Sequence, residues 1–297
     1  MKVALLGING YIGKSLGYYL LQQGCEVHGY DLADQCGIQG IVYESLDVRS
    51  KEQFAKLDTT VDLVFYFSGI TGTAKAYEDY EAYVDVNEKG ILHLLSRLDA
   101  TKSNARVIFP STRLVYKGVK DKLLAEDDEK EFKTIYALNK WFGETLLHQY
   151  GAYFGRAFTI FRICVPYGNL LDNSYSYGTV GFFMNKAVVG KNITLYGTGG
   201  QKRSFTHVGD LCRQIFLAIN KPESVNQVFN IAGETFSLYE VADAIAKKYA
   251  VGVELIPWPV MDEKLESGDT IFSAEKISGI IGSPLQNNFN VWLQTIK

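Results

Sequence analysis

Three glycines spaced three apart, Gly7, Gly10 and Gly13, follow directly on a short apolar strand, Lys2–Leu6, and precede a helix-like stretch, Ser15–Gln23, stopped by Gly24. Strand, glycine turn and helix in that order constrain the fold more than any other feature, because they open a βαβ unit of a parallel sheet. The glycines allow a tight turn, close approach of a pyrophosphate to the backbone, and close packing of helix on strand. Unpaired N–H groups and the positive dipole at the helix N-terminus then favour phosphate. The spacing is Gly-x-x-Gly-x-x-Gly, with Asn9 where the commoner dinucleotide pattern has its second glycine.

The strands that follow suit that start. Glu26–Tyr30 reads as a strand ending at Asp31, a carboxylate placed to accept hydrogen bonds from an adenosine ribose 2′-OH and to repel a 2′-phosphate. That favours NAD over NADP. Asp47 follows another extended run, Ile41–Leu46, and is either an adenine contact or a solvated turn residue. Val61–Phe67 is almost continuously apolar, as a strand buried on both faces should be, and ends in Ser68-Gly69. A long helix is expected near 74–98, with Asn87 inside it and Gly90 three residues on. Arg106–Pro110 is a further strand and opens into Ser111-Thr112-Arg113, where Thr112 is either a substrate-facing hydroxyl or a strand-end cap. Charge-rich residues 121–133 read as a solvated loop.

Tyr136 and Lys140 stand four apart in a helix-like run, one above the other on one face. An ammonium beside a phenol favours the phenolate and brings its pKa down from about 10. Such a base can take the proton of an alcohol while hydride leaves the same carbon. With 19 tyrosines in the chain the spacing also arises by chance.

The 297 residues suffice for one large domain or two small ones, and a net charge of −3 without a basic run excludes a nucleic-acid surface. Residues 2–6 are apolar, but Gly7 ends the run far short of a signal segment or membrane span. Cys25, Cys36, Cys164 and Cys212 are scattered, with no metal-ligand spacing, which points to reduced thiols in the cytoplasm and to no metal.

These segments, taken in order, resemble the extended short-chain dehydrogenase/reductase superfamily, in its NAD-dependent nucleotide-sugar epimerase/dehydratase branch. The resemblance continues through Arg162-x-x-x-Pro166-Tyr167-Gly168, Gly197-x-Gly199-x-Gln201-x-Arg203 with His207 and Asp210, and Phe229-Asn230-Ile231. It implies an α/β fold, a Rossmann-type doubly wound parallel sheet with a smaller α/β substrate-binding cap. It implies Thr112, Tyr136 and Lys140 as the catalytic triad. Gly7, Asn9, Gly10, Tyr11, Ile12, Gly13, Asp31, Asp47, Phe67, Ser68, Gly69, Asn87, Tyr136 and Pro166 would then hold NAD, with Lys140 on the nicotinamide ribose. Thr112, Arg113, Val165, Arg203 and Asp269 would face a nucleotide-diphosphate sugar, Arg203 at its diphosphate unless it is a structural ion pair. A homodimer is implied through the helix near 74–98 and the helix carrying Tyr136, although Leu138, Phe142 and Leu146 would serve equally as core.

After Gly168 the regular alternation loosens. A polar stretch (173–181), a helix to Val189 and a strand at Ile193–Tyr196 suit a small lid. Thr206–Ile219 reads as a connection and helix, and Val228–Ile231 as a strand returning to the nucleotide side. Ser237–Tyr249 reads as a helix with a Ser237/Glu240 capping box, followed by a strand at Val253–Pro257 and a helix at Glu275–Ile281. The expected division is 1–168 plus about 206–232 for NAD, and 169–205 plus 233–297 for the substrate.

Departures from the family pattern narrow the chemistry. Arg113 and Leu114 stand where dehydratases carry Asp-Glu, and the decarboxylases' glutamate is missing too; neither residue present exchanges a proton. Val165 replaces a phosphate-contacting asparagine, and no arginine precedes Gly268-Asp269. The expectation is a C4 epimerase: Tyr136 takes the hydroxyl proton as hydride passes to NAD, and hydride returns to the opposite face of the keto sugar. The competitors are a 4-ketoreductase on the same residues and a silent dinucleotide-binding protein.

Overall fold

The structure, a computed structural model, describes residues 1–72, 75–171 and 178–296. Its strands are β1 Lys2–Leu6, β2 Glu26–Asp31, β3 Val42–Ser45, β4 Leu63–Tyr66, β5 Arg106–Thr112, β6 Leu123–Leu124 and β7 Phe158–Ile163. There follow β8 Val165–Tyr167, β9 Ile193–Tyr196, β10 Lys202–His207, β11 Gln227–Asn230, β12 Glu234–Ser237, β13 Val253–Ile256 and β14 Ile271–Phe272. The α-helices are α1 Tyr11–Gln22, α2 Tyr80–Val84, α3 Gly90–Ala100, α4 Ile135–Phe154 and α5 Gly178–Val188. The later ones are α6 Val208–Ile219, α7 Leu238–Lys248, α8 Val260–Leu265, α9 Glu275–Ile281 and α10 Phe289–Thr295.

Seven parallel strands form the main sheet in the order β11-β7-β5-β4-β1-β2-β3. The order reverses between β1 and β4, and the crevice beyond the carboxyl ends of those strands is where open sheets of this kind bind ligands. The two-residue side-chain period divides the apolar residues between two layers. Val3, Leu5, Leu63, Phe65 and Ile108 pack on one face against α1, α6 and α9. Ala4, Leu6, Val64, Tyr66, Val107 and Phe109 pack on the other against α3 and α4. Each fully buried aliphatic or aromatic side chain there contributes about 1.5–3 kcal/mol.

The remaining strands make three small sheets: β12-β10-β8, β13-β9 and β14-β6. The first two enclose a separate core with α5, α7 and α10, containing Val165, Tyr167, Met184, Phe205 and Ile245. The Ser237/Glu240 capping box is formed at the start of α7. No helix among the described residues is long and apolar enough to cross a membrane.

Several elements differ from the sequence reading. Helix α1 begins at Tyr11, not Ser15, because Gly10 is itself the N-cap. The long helix expected near 74–98, of which residue 74 lies outside the described residues, runs without a break from Tyr80 to Ala100 as α2, a π-helical turn at Asp85–Lys89 and α3; it starts later than expected, after a 3-10 turn at Lys75–Tyr77. The π turn is held by the Asn87 carboxamide, which accepts from Ile70 N–H and donates to Ile70 C=O. Residues 121–133 are not simply solvated: Leu124 is buried in β6, and the Glu126 carboxylate accepts from Asn230 N–H. The connection expected from Thr206 belongs to strand β10, and β8, β12, β14, α8 and α10 had no clear sequence signal. Of the polar stretch at 173–181, residues 173–177 lie outside the described residues.

Candidate active site

The glycine turn is built for close approach. Gly7 has φ +85°, and a Cβ there would lie 2.5 Å from Ser68 N at the end of β4. A Cβ on Gly13 would lie 2.0 Å from the Gly7 carbonyl oxygen, so that glycine lets α1 sit on β1. Gly10 differs: its φ and ψ are ordinary for any residue, and an added Cβ would meet only Gly7 O, at 3.2 Å. The protein's own packing therefore constrains position 10 much less than positions 7 and 13. The N-cap of α1, Gly10, brings no capping side chain, and Gly10–Gly13 line the crevice, so this helix N-terminus is placed to favour an anion. Gly13→Ala is therefore expected to lose about 1–3 kcal/mol of stability by overpacking, whereas Gly10→Ala melts like the parent and binds NAD more weakly. Thermal melts alongside NAD titrations check both.

Asp31 closes the outer end of the turn. Its carboxylate accepts from the N–H groups of Asn9 (2.9 Å) and Leu32 (2.7 Å), which leaves acceptor capacity for a ribose diol. Asp47 is instead clasped by Arg49 through both carboxylate oxygens, and that guanidinium holds its pKa below the usual carboxylate range.

A cavity of about 500 Å³ runs from Gly10–Gly13 past Phe67 and Gly69 to Thr112, Tyr136, Lys140 and Pro166. Thr134 caps α4 by accepting from Ala137 N–H at 3.0 Å, and so starts the helix two residues before Tyr136. One turn past Lys140, Glu144 takes Arg162 in a bidentate pair at 2.7 and 3.0 Å. Arg162 also donates to the Tyr116 hydroxyl, which donates to Asn230, so α4 is locked to β7 and β11. The Lys140 ammonium lies 4.7 Å from the centre of the Phe109 ring and 5.9 Å from that of Tyr136. Burial brings its pKa down to about 8, partly opposed by the Glu144 charge. Thr112 closes β5, and its Oγ1 accepts from Leu114 N–H at 3.3 Å.

The model of the NAD dependent epimerase/dehydratase family matches residues 3–232. The chain belongs to that family. A curated relative, CDP-paratose 2-epimerase from Salmonella typhi, is 24% identical over 93% of this chain and 91% of its own. Among solved structures, UDP-glucose 4-epimerase from Thermus thermophilus, in complex with NAD, superposes with a TM-score of 0.87 at 24% identity, covering 100% of this chain and 99% of that one. UDP-glucuronic acid 4-epimerase from Bacillus cereus, in complex with UDP-glucuronic acid and NAD, gives 0.84 at 21%, covering 100% and 98%.

NAD is the cofactor of this NAD-dependent family, and the open Gly10, the uncapped α1 and Asp31 fit it. Other residues expected at the site have other surroundings. Asn87 is buried and shapes the backbone of Gly69 and Ile70 from behind: a Cβ on Gly69 would lie 3.1 Å from its Oδ1. Its amide also donates to Asn139, which donates to Glu88. Arg203 is 1% exposed and does not line the cavity; it is paired with Glu266 and donates to the carbonyls of Lys202 and Gly268. Asp269 is likewise engaged, accepting from the N–H groups of Asp121 and Lys202. Arg113 and Val165 do line the cavity. So does Ser111, absent from the sequence-level set: its buried Oγ has no hydrogen-bond partner among the described residues. Its place beside Thr112 at a strand end was the available signal.

Proposed function

We propose that this family member is an epimerase of a nucleotide-diphosphate sugar, inverting C4, with Tyr136 as base, Thr112 as hydrogen-bond partner of the reacting oxygen, and Lys140 as the supporting cation. The observation that carries the reading is that all three line one cavity together with Gly10–Gly13, while the adjacent positions are Arg113 and Leu114. Dehydration and decarboxylation lack their acid. NAD, when bound, supplies the hydride acceptor and donor. Tyr136 takes the hydroxyl proton and later returns it; Lys140 holds negative charge on the phenol oxygen; Thr112 orients the sugar oxygen. Asp31 favours a ribose 2′-OH over a 2′-phosphate, which supports NAD and hence internal return of hydride over net reduction.

The same proposal divides the chain as 1–168 with about 206–232 on the NAD side, and 169–205 with 233–297 on the sugar side. It includes a cytoplasmic homodimer: all four cysteines are free, and Leu138 on α4 is 49% exposed. Protein as purified, incubated with UDP-, dTDP-, CDP- and GDP-hexoses and no added cofactor, should yield a C4 epimer detectable by chromatography. A C2 epimer, as the name of the Salmonella relative suggests, would move the reacting carbon. Reduction of a 4-keto sugar only on addition of NADH or NADPH would establish the ketoreductase instead, and silence in both would remove the nucleotide-sugar reading.

A further inference from the structure

Arg113 stands immediately after Thr112, in the 3-10 turn Arg113–Val115, and lines the cavity. Its guanidinium has five donors, of which Nη1 reaches the Ser267 hydroxyl at 3.0 Å and, more distantly, the Thr270 hydroxyl at 3.4 Å. Both partners are neutral. Nε and Nη2 take no hydrogen-bond partner among the described residues, and no carboxylate there forms an ion pair with Arg113. Glu266, whose charge acts on Arg113, is already paired with Arg203. Arg203 and Glu266 offset each other, so among the described residues the Arg113 charge has no ion pair of its own. Burial, and then the neighbouring Arg203, bring the Arg113 pKa down to about 10, so it remains protonated at neutral pH. Ser111 Oγ, in the same cavity, is a buried polar atom with no hydrogen-bond partner among the described residues. A half-buried guanidinium without a counter-charge is costly unless a ligand supplies one.

We propose that Arg113 binds a carboxylate carried by the sugar ring, so that the substrate is the nucleotide derivative of a hexuronic acid and not of a neutral hexose. The inference rests on the nucleotide-sugar reading above. Position favours the sugar as the source of the anion, because Arg113 adjoins the hydroxyl assigned to the reacting oxygen. The planar fork of arginine suits two carboxylate oxygens.

UDP-glucuronic acid and UDP-glucose differ at C6 alone and serve as the probes. Their affinities for the NAD-saturated protein are measured by calorimetry, with turnover followed in parallel. The parent should prefer the glucuronic acid derivative by about 30-fold, the worth of a charge-assisted pair. Arg113→Gln should bring the ratio to within about threefold of unity, and Arg113→Lys, which keeps the charge but not the fork, should lie between. Equal affinities in the parent, binding of neither probe, or a preference that survives Arg113→Gln would each overturn the proposal. An equal loss of both ligands in Arg113→Gln would also overturn it and put Arg113 on the diphosphate. Selective binding of the glucuronic acid derivative with no epimer formed would instead sink the epimerase reading and leave this one standing.

Discussion

Tyr136→Phe lowers kcat by about 10²- to 10⁴-fold, the span attached to loss of a positioned general base, while the KM for the sugar nucleotide changes far less. The substitution removes one oxygen and leaves the ring, so the half-buried position at the first turn of α4 keeps its packing. Thr134 still caps the helix, and Glu144 still holds it to Arg162, because neither contact involves the phenol. What disappears is the atom proposed to take and return the proton. Steady-state kinetics on the best substrate from the panel, with thermal melts as a control for folding, decide the matter. A loss below tenfold would take the base role away from Tyr136.

Lys140→Met gives an inactive protein that is more stable at neutral pH than its parent. Lys140 is 6% exposed, with burial bringing its pKa to about 8. In the unfolded chain the same lysine holds its proton up to about pH 10.4. Between those values the unfolded state binds more protons, so this group makes stability rise with pH through the window. Below about pH 8 the whole cost of burying the charge is present. Methionine fills similar space without it, and we expect a gain of about 1–3 kcal/mol at pH 7, reduced by the lost contact with Phe109. Melting temperatures of the cofactor-free proteins should differ by a few degrees at pH 7 and converge toward pH 10. A parent that melts higher than the variant at pH 7 would refute the account. The result would be a direct case of an active-site group retained against stability.

Local rules explain which parts of this architecture could be read in advance. β1 and the α7 capping box depend on residues adjacent in sequence, and their patterns are strong. The π turn at Asp85–Lys89 depends on distant groups instead. Asn87 is drawn to the backbone of Ile70, and a Cβ on Gly90 would lie 2.1 Å from the Tyr66 hydroxyl. No periodicity within 74–98 encodes that. β14 is two residues long, and its partner β6 lies about 150 positions away, so neither carries a strand signal of its own. Arg203 is the right side chain for an anion, but whether the anion is a ligand or Glu266 is decided by burial, which composition does not reveal. Arg113 was legible as a departure from a pattern; that it forms no ion pair among the described residues required coordinates.

The route of the chain after β7 has a consequence for how such a protein can change. It enters the small sheets at β8 and β9, returns to the main sheet at β11, leaves again at β12, and reaches β6 through β14. No single cut yields two self-contained pieces, and a chain ending anywhere before Ile271 leaves β6 without a neighbour. Transplanting the three small sheets from another protein would mean splicing several segments at once, each with matching registers. Accumulated single-residue changes around the cavity wall, at positions such as 113, 114 and 165, are the accessible path to a new specificity. A wholesale exchange of parts is closed to this topology.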